Sequence, residues 1–358
     1  MNWRQKCLLG VLPFCLALAT PLWAFAALKA DEQVMILPAL AHDLPNEAER
    51  VSVTLSVWVY ETERRPGATR LLARYIGTPV GELNPLERER LYQRSQLFRV
   101  DSERGKVVTL ALPDGSRHTL PPTDASGRSS LTVTLAKASV VGPGKAQPLP
   151  ITLVDASAQP ASGPLWYVPT TGLSIISDID DTVKVSDVGD TKKLLQHTFL
   201  KPLTPAPGMA AWYQQLMRSQ GAAVHYVSSS PLQLMPLLSD FIADAGLPQG
   251  SLHLRQSTSW RTAIPPEGAS RTHKTTQIRT LLEAYPQRRF ILVGDSGELD
   301  PEIYTELARI FPHQIERIYI RDVTNEPRTA ARYQALFQGL SAEQWVIFAP
   351  TGAPTADH

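Results

Sequence analysis

The sequence predicts an α/β fold, a doubly wound, mostly parallel sheet, preceded by a small β-sandwich-like domain. Three observations carry that expectation. From residue 166 onward, short apolar runs alternate with stretches of helical period, the pattern of strand–helix–strand units. Before that, roughly residues 30–162 hold alternating apolar and polar runs separated by Gly and Pro turns, as in a small sandwich. The 358 residues suffice for two such units and a sizeable core. The expected organisation is a leader at 1–26, a β-sandwich-like domain at 27–165, an α/β domain at 166–350 and a tail at 351–358.

The leader is read from its ends and its middle. Arg4 and Lys6 precede an apolar run at 7–18, and Ala24-Phe25-Ala26 is a small-x-small cleavage pattern. This is a secretory signal cut after Ala26, and it implies export to a periplasm or beyond. The alternative is an uncleaved anchor helix, since residues 7–28 nearly suffice to span a bilayer, although Pro13 and Pro21 weaken it. Phe14 is too large for a lipid-attachment box at Cys15. Both cysteines, Cys7 and Cys15, fall in this leader. The mature chain would then have no disulfide, no thiolate nucleophile and no cysteine metal site. Charge is balanced, 35 basic against 34 acidic, so no basic excess points to nucleic acid.

In the first domain, residues 51–59 alternate without a break, a strand with one buried face. Residues 107–112 form another, turned by Pro113-Asp114-Gly115-Ser116 towards 118–120. Leu131, Val133 and Leu135 alternate again, and 151–154 adds a short strand. Between the first two strands, Asn84 is an N-cap, Pro85 the first helical residue and Glu87 the third after the cap. No metal or nucleophile cluster stands out, so a folding or docking module is expected. Pro160-Ala161-Ser162-Gly163-Pro164 reads as a linker.

In the second domain, Met209, Trp212, Tyr213, Leu216 and Met217 mark a helix face stopped by Gly221. A strand at 222–227 runs into Ser228-Ser229-Ser230, and Pro231 opens a helix with Leu234, Leu238, Phe241 and Ile242 inward. Ile278, Leu281, Leu282 and Tyr285 give a further helix face. Residues 290–293 form a strand leading into Gly294-Asp295-Ser296-Gly297-Glu298-Leu299-Asp300-Pro301, and 315–320 and 346–348 supply more strands.

The chemistry gathers at strand ends. The apolar run 173–176, after Gly172, ends in Asp178, Asp180 and Asp181. In open α/β sheets ligands sit outside the carboxyl ends of the strands. Two acids so close repel, and a proton or a cation must resolve the conflict. A divalent hard cation with oxygen ligands does so. The competing reading is a solvated acidic turn. Ser228 to Ser230 and the pair Asp295/Asp300 stand at two other strand ends, although a serine could merely cap a helix. Asp295 is not part of a serine-hydrolase elbow, because Glu298 stands where a second glycine is needed. Lys274 starts the helix between these clusters.

Asp178-Ile179-Asp180-Asp181-Thr182 after an apolar strand resembles motif I of the haloacid dehalogenase (HAD) superfamily of phosphotransferases. The fuller string from Ile176 to Val183 is similar to one branch, the phosphatidate phosphatases named for the yeast actin-patch protein. The superfamily's other motifs follow in order over about residues 173–322, as Ser228, Lys274, and Asp295 with Asp300. Tyr226-Val227-Ser228-Ser229-Ser230-Pro231, His273-Lys274, the stretch 294–304 and Tyr319-Ile320-Arg321-Asp322-Val323 resemble that branch as well.

The resemblance implies a HAD-like phosphatase using Mg2+. Asp178 would attack phosphorus and form an aspartyl-phosphate. Asp180 would protonate the leaving oxygen and then deprotonate the hydrolytic water. Asp178, the main-chain carbonyl of Asp180 and Asp295 would hold the metal, supported by Asp300. Ser228 and Lys274 would bind the phosphoryl group, with Ser229 and Ser230 open as alternatives to Ser228, and Thr182 would fix the loop there. Asp181 receives no role, and residues 183–197 would form a flap. The implied reaction is phosphatidate to diacylglycerol, with a phospholipid as substrate and a membrane surface as an admissible partner. The alternatives are a soluble exported phosphoester and a non-catalytic metal-binding docking protein.

Overall fold

The computed structural model describes residues 26–64, 67–141, 147–155, 158–257 and 268–354. The expected leader up to residue 25, with both cysteines, and residues 355–358 of the tail lie outside the described residues. Among the described residues, no helix is long and apolar enough to cross a membrane.

The N-terminal part comprises β1 (Glu32–Ile36), β2 (Ala39–Leu44), β3 (Glu47–Thr62), β4 (Val100–Ser102), β5 (Thr109–Ala111), β6 (Arg117–Thr119), β7 (Arg128–Ala136), β8 (Leu149–Leu153) and β9 (Ser162–Tyr167). They form one hydrogen-bonded sheet of order β1-β3-β2-β9-β8-β5-β6, with β4 and β7 also on β3, rather than two separate sheets. The 16-residue β3 makes this so, because its length pairs with β1, β2, β4 and β7. Its alternation holds: Val51, Val53, Leu55, Val57 and Val59 are all buried in one core. Two helices, α1 (Ala68–Ile76) and α2 (Pro85–Gln96), are inserted between β3 and β4. The start of α2 is the expected capping box, with Glu87 N donating to Asn84 Oδ1 at 3.0 Å and Asn84 N to Glu87 Oε2 at 3.1 Å.

The expected linker is instead mostly strand. β9 pairs antiparallel with β8 and parallel with β2, and it straddles the boundary expected at 165/166. Composition misled here: Leu165 and Trp166 are buried, and Gly163 allows close approach, since a Cβ there would lie 2.6 Å from Ile36 O.

The second sheet contains β10 (Leu173–Ser177), β13 (Ala223–Pro231), β14 (Ser251–Arg255), β15 (Arg289–Asp295), β16 (Ile315–Arg321) and β17 (Trp345–Phe348). The order is β14-β13-β10-β15-β16-β17, and every pairing is parallel. The chain winds outward from β10 to one edge and then to the other. The crevice at such a reversal is where an α/β sheet opens for ligands. Helices α4 (Met209–Gln220) and α5 (Met235–Asp244) share a core with Ile175, Val224 and Ile291. Helices α6 (Ala269–Ala284), α7 (Asp300–Ile310) and α8 (Ala331–Leu336) share another with Ile176, Val227 and Leu292, so both faces are covered.

Two local readings shift. Ser228 to Ser230 lie within β13, because Ser228 still pairs with Leu254 before the register changes at Pro231. Pro231 ends the strand, a 3-10 turn (Leu232–Leu234) follows, and α5 begins only at Met235. Lys274 sits in the second turn of α6 rather than at its start. The expected flap, residues 183–197, contains β11 (Lys184–Val185), paired with β12 (Thr204–Pro205) beyond it, and all but the last two residues of α3 (Thr191–Phe199), which lies between the two strands.

Candidate active site

Asp178 follows the last residue of β10, and its N–H donates to Val293 O of β15 at 2.9 Å. Ser177 Oγ donates to Asp178 O at 2.6 Å and meets Tyr213 Oη at 2.8 Å, fixing the turn from beneath. Asp178 is only 1% exposed. The fully buried Lys274 reaches it from α6: Nζ lies 2.9 Å from Asp178 Oδ1, 2.6 Å from Asp300 Oδ1 and 2.6 Å from Glu298 Oε2. Burial opposes an ammonium there, but the charges of Asp178, Asp300 and Glu298 raise its pKa well above the ordinary lysine value. Burial likewise pushes Asp178 well above the usual carboxylate range, only partly offset by Lys274. Burial, then Asp300 and Glu298, raises Asp295, and burial raises Asp300 to about 6.

Asp295 ends β15. Its Oδ1 accepts from Gly297 N at 2.7 Å and Glu298 N at 3.0 Å, so it organises the turn that carries Glu298. Asp178, Asp295 and Glu298 each offer an oxygen within 4.8 Å of the others. Asp178 Oδ2 and Asp295 Oδ2 are both buried without a hydrogen-bond partner. Buried acceptors without donors, supplied by carboxylates alone, fit a hard divalent cation. Asp300 falls outside this group. Its Oδ1 faces Lys274 and its Oδ2 accepts from Asp295 N at 3.3 Å. Gly294 makes that contact feasible, since a Cβ there would lie 2.3 Å from Asp300 Oδ2. Sequence reasoning missed Glu298, using it only to exclude a hydrolase elbow. The available signal was a third acid within the turn that links Asp295 to Asp300.

Asp180 is held differently. Its Oδ1 meets Lys184 Nζ at 2.6 Å and Ser186 Oγ at 2.7 Å, and its Oδ2 accepts from Ser230 Oγ at 2.8 Å and more distantly from Ser228 Oγ at 3.4 Å. Burial would raise its pKa, but Lys184 and the hydroxyls hold it down, to about 2. Lys184 had not been singled out. Ser228 and Ser230 thus face Asp180, while Ser229 turns to Ser270 at 2.5 Å, the alternation a strand imposes. Thr182 is buried, and its Oγ1 has no hydrogen-bond partner.

Asp181 acquires a structural task. It adopts φ 53°, and its carboxylate accepts from Ser186 N at 2.7 Å, Asp187 N at 3.0 Å and Val188 N at 2.6 Å. It therefore folds the first part of the flap over the strand end. A small cavity of about 50 Å³ opens at this point, between Asp180, Ser230 and Glu298 on one side and Val188, Leu194 and Phe199 on the other.

The family model for the catalytic domain of phosphatidate phosphatase APP1 matches residues 173–322. Residues 173–322 are thus similar to this family. The APP1-type segment contains Asp178, Asp180, Ser228, Lys274, Asp295, Glu298 and Asp300, while β1 to β9 lie outside it. The phosphatidate phosphatase APP1 of Saccharomyces cerevisiae is 38% identical over 180 residues, 49% of this chain and 30% of that protein. An uncharacterized protein of Schizosaccharomyces pombe is 39% identical over 159 residues, 43% of this chain and 26% of that one. The chain thus spans less than a third of the length of these two relatives. Among solved structures, a Plasmodium falciparum ferredoxin-NADP+ reductase mutant covers 82% of this chain and 95% of its own, at 8% identity and a TM-score of 0.19, too dissimilar to bear on the fold.

Proposed function

We propose that the chain is an exported, magnesium-dependent phosphatase that works through a phosphoaspartate and hydrolyses phosphatidate to diacylglycerol and phosphate. One observation carries the reading: buried Asp178 is held by Lys274 through one oxygen, while its other oxygen and one of Asp295 lack any protein donor. Asp178, Asp295 and Glu298 would hold the magnesium ion, which would neutralise charge on the phosphoester. Asp178 attacks phosphorus, and Lys274 keeps that carboxylate in place and offsets the charge of the incoming anion. Ser228 and Ser230 orient Asp180 and offer hydroxyls to the phosphoryl oxygens. Asp180, held near 2, is ionised in the free protein and suits the second step, removing a proton from water. To protonate the leaving oxygen first, it must take up a proton as substrate loosens its pairing with Lys184.

The lipid substrate is supported by the likeness to the yeast phosphatidate phosphatase and by the apolar flap wall beside Asp180. The HAD-like, doubly wound reading is supported by six parallel strands that wind outward from β10 and by helices on both faces. We place the boundary between an N-terminal β module and the catalytic domain between β9 and β10. Export rests on the charged start, apolar run and Ala24-Phe25-Ala26 of the leader. The experiment is phosphate release from phosphatidate vesicles against a panel of soluble phosphoesters, with magnesium and with chelator. The lipid reading expects phosphatidate to be preferred. Preference for a soluble ester would reject that substrate, and no metal-dependent release from any of them would reject the phosphatase.

A further inference from the structure

The C-terminus of the flap helix α3 is held by the N-terminal part of the chain. A helix end leaves its last carbonyls without intrahelical donors. Here arginines of α2 supply them. Arg94 Nη1 donates to Thr198 O at 2.8 Å, Lys201 O at 2.8 Å and, at longer range, His197 O at 3.4 Å. Arg90 Nη1 reaches Leu200 O at 3.3 Å. A cation at this end also opposes the helix dipole favourably. Arg94 is buried, and its side-chain hydrogen bonds among the described residues all go from Nη1 to carbonyls at the C-terminal end of α3. The rings of Phe98 and Phe199 pack alongside at 5.5 Å, and Gln196 Nε2 reaches Thr78 Oγ1 at 3.5 Å. Both Leu194 and Phe199 of α3 line the small cavity over Asp180 and Glu298.

We propose that the N-terminal β module is a working part of the active site, in which α2 clamps α3 through the positioning residue Arg94 and so sets the flap against the catalytic carboxylates. The proposal rests on the phosphatase reading only for its kinetic consequence. The clamp itself is a claim about α3. Loss of Arg94 frees carbonyls at the C-terminus of α3, loosens the flap wall and leaves the sheet and its metal-site carboxylates in place. Binding of the substrate's leaving group then weakens more than the chemical step.

The test uses the full chain as wild type, Arg94→Met and Arg94→Lys. Hydrogen exchange of amides at 194–201 should accelerate about tenfold or more in Arg94→Met, with α6 protection retained. Arg94→Lys, which can still reach a carbonyl, should fall between. KM for the best phosphoester should rise about tenfold in Arg94→Met with a smaller change in kcat. Unchanged exchange in α3, or equal acceleration in α3 and α6, would overturn the clamp whichever substrate is cleaved. A fall in kcat alone would overturn the positioning role. If Arg94→Met does not fold, Arg94→Lys and Arg90→Met carry the same exchange measurement, and wild-type protection in both overturns the proposal. A wild type that cleaves only soluble esters would reject the lipid reading and leave the exchange result decisive for the clamp.

Discussion

Lys274 Nζ lies 2.9 Å from Asp178 Oδ1, and neither side chain is more than 2% exposed. The lysine is the only cation within ion-pair distance of Asp178 among the described residues, and Asp300 and Glu298 share it. Removing it leaves buried carboxylates uncompensated. Lys274→Met should cost roughly 3 kcal/mol of stability in the metal-free protein. Turnover should fall by about a hundredfold or more, because the offset to the phosphoryl charge is lost as well. Chemical denaturation in chelator and phosphate release with magnesium check both. A variant that keeps wild-type stability would mean the carboxylates are neutral without Lys274.

Glu298, and not Asp300, groups its carboxylate with those of Asp178 and Asp295, while Asp300, expected to support the metal ligands, faces Lys274. Glu298→Gln should raise the magnesium concentration for half-maximal activity by about tenfold or more, since a ligand oxygen loses its charge. Asp300→Asn should act mainly through Lys274, with a smaller change in magnesium dependence. Magnesium titrations of activity on the two variants decide between them. The reverse ranking would return the ligand role to Asp300.

Asp300 also ties stability to pH. Burial raises its folded pKa to about 6, above the ordinary Asp value, and Lys274 only partly offsets this. A carboxyl with a raised folded pKa binds its proton more tightly folded than unfolded. Its contribution to stability is therefore greatest when protonated, and it declines as pH rises from about 4 to about 6. The metal-free protein should lose stability across that window, and Asp300→Asn should flatten the slope. Denaturant midpoints from pH 4.5 to 7 in chelator give the answer. A wild-type gain in stability across the window that Asp300→Asn leaves unaltered would contradict it.

Asp181 tests the organisation of the flap. Its carboxylate accepts three backbone N–H groups from residues 186–188 while its own φ is 53°. Asp181→Ala should cost at least about 2 kcal/mol, from donors left without an acceptor and from alanine forced into the left-handed region. Turnover should fall too, because Ser186 would no longer be held against Asp180. Thermal melts with parallel kinetics check this. A loss of activity without any loss of stability would assign Asp181 to the chemistry instead.

Much of this arrangement was legible in the chain itself. Asp178, Lys274 and Asp295 lie close together because each stands at, or beside, the carboxyl end of a parallel strand, and apolar strand runs are the clearest pattern in a sequence. Glu298, Lys184 and Asp181 were not legible in role. Their contacts depend on turn geometry, which residue spacing does not encode: the Asp295 turn aims Glu298, and a left-handed residue aims the loop at 186–188. β9 was hidden because Pro, Gly and Ser dominate its start. The clamp of Arg94 on α3 joins residues about a hundred positions apart, and nothing local in α2 marks that arginine among its neighbours.

The central claim is that Asp178 is the nucleophile of a metal-dependent phosphatase. The most direct measurement is phosphate release from phosphatidate by wild type and Asp178→Asn, each with magnesium and with chelator, alongside their melting temperatures. Wild type should release phosphate only with magnesium. Asp178→Asn should fold, since the amide keeps the volume and relieves a buried charge, yet its activity should be lower by about a thousandfold or more. Asp178→Asn activity within about tenfold of wild type, or full wild-type activity in excess chelator, would contradict the account.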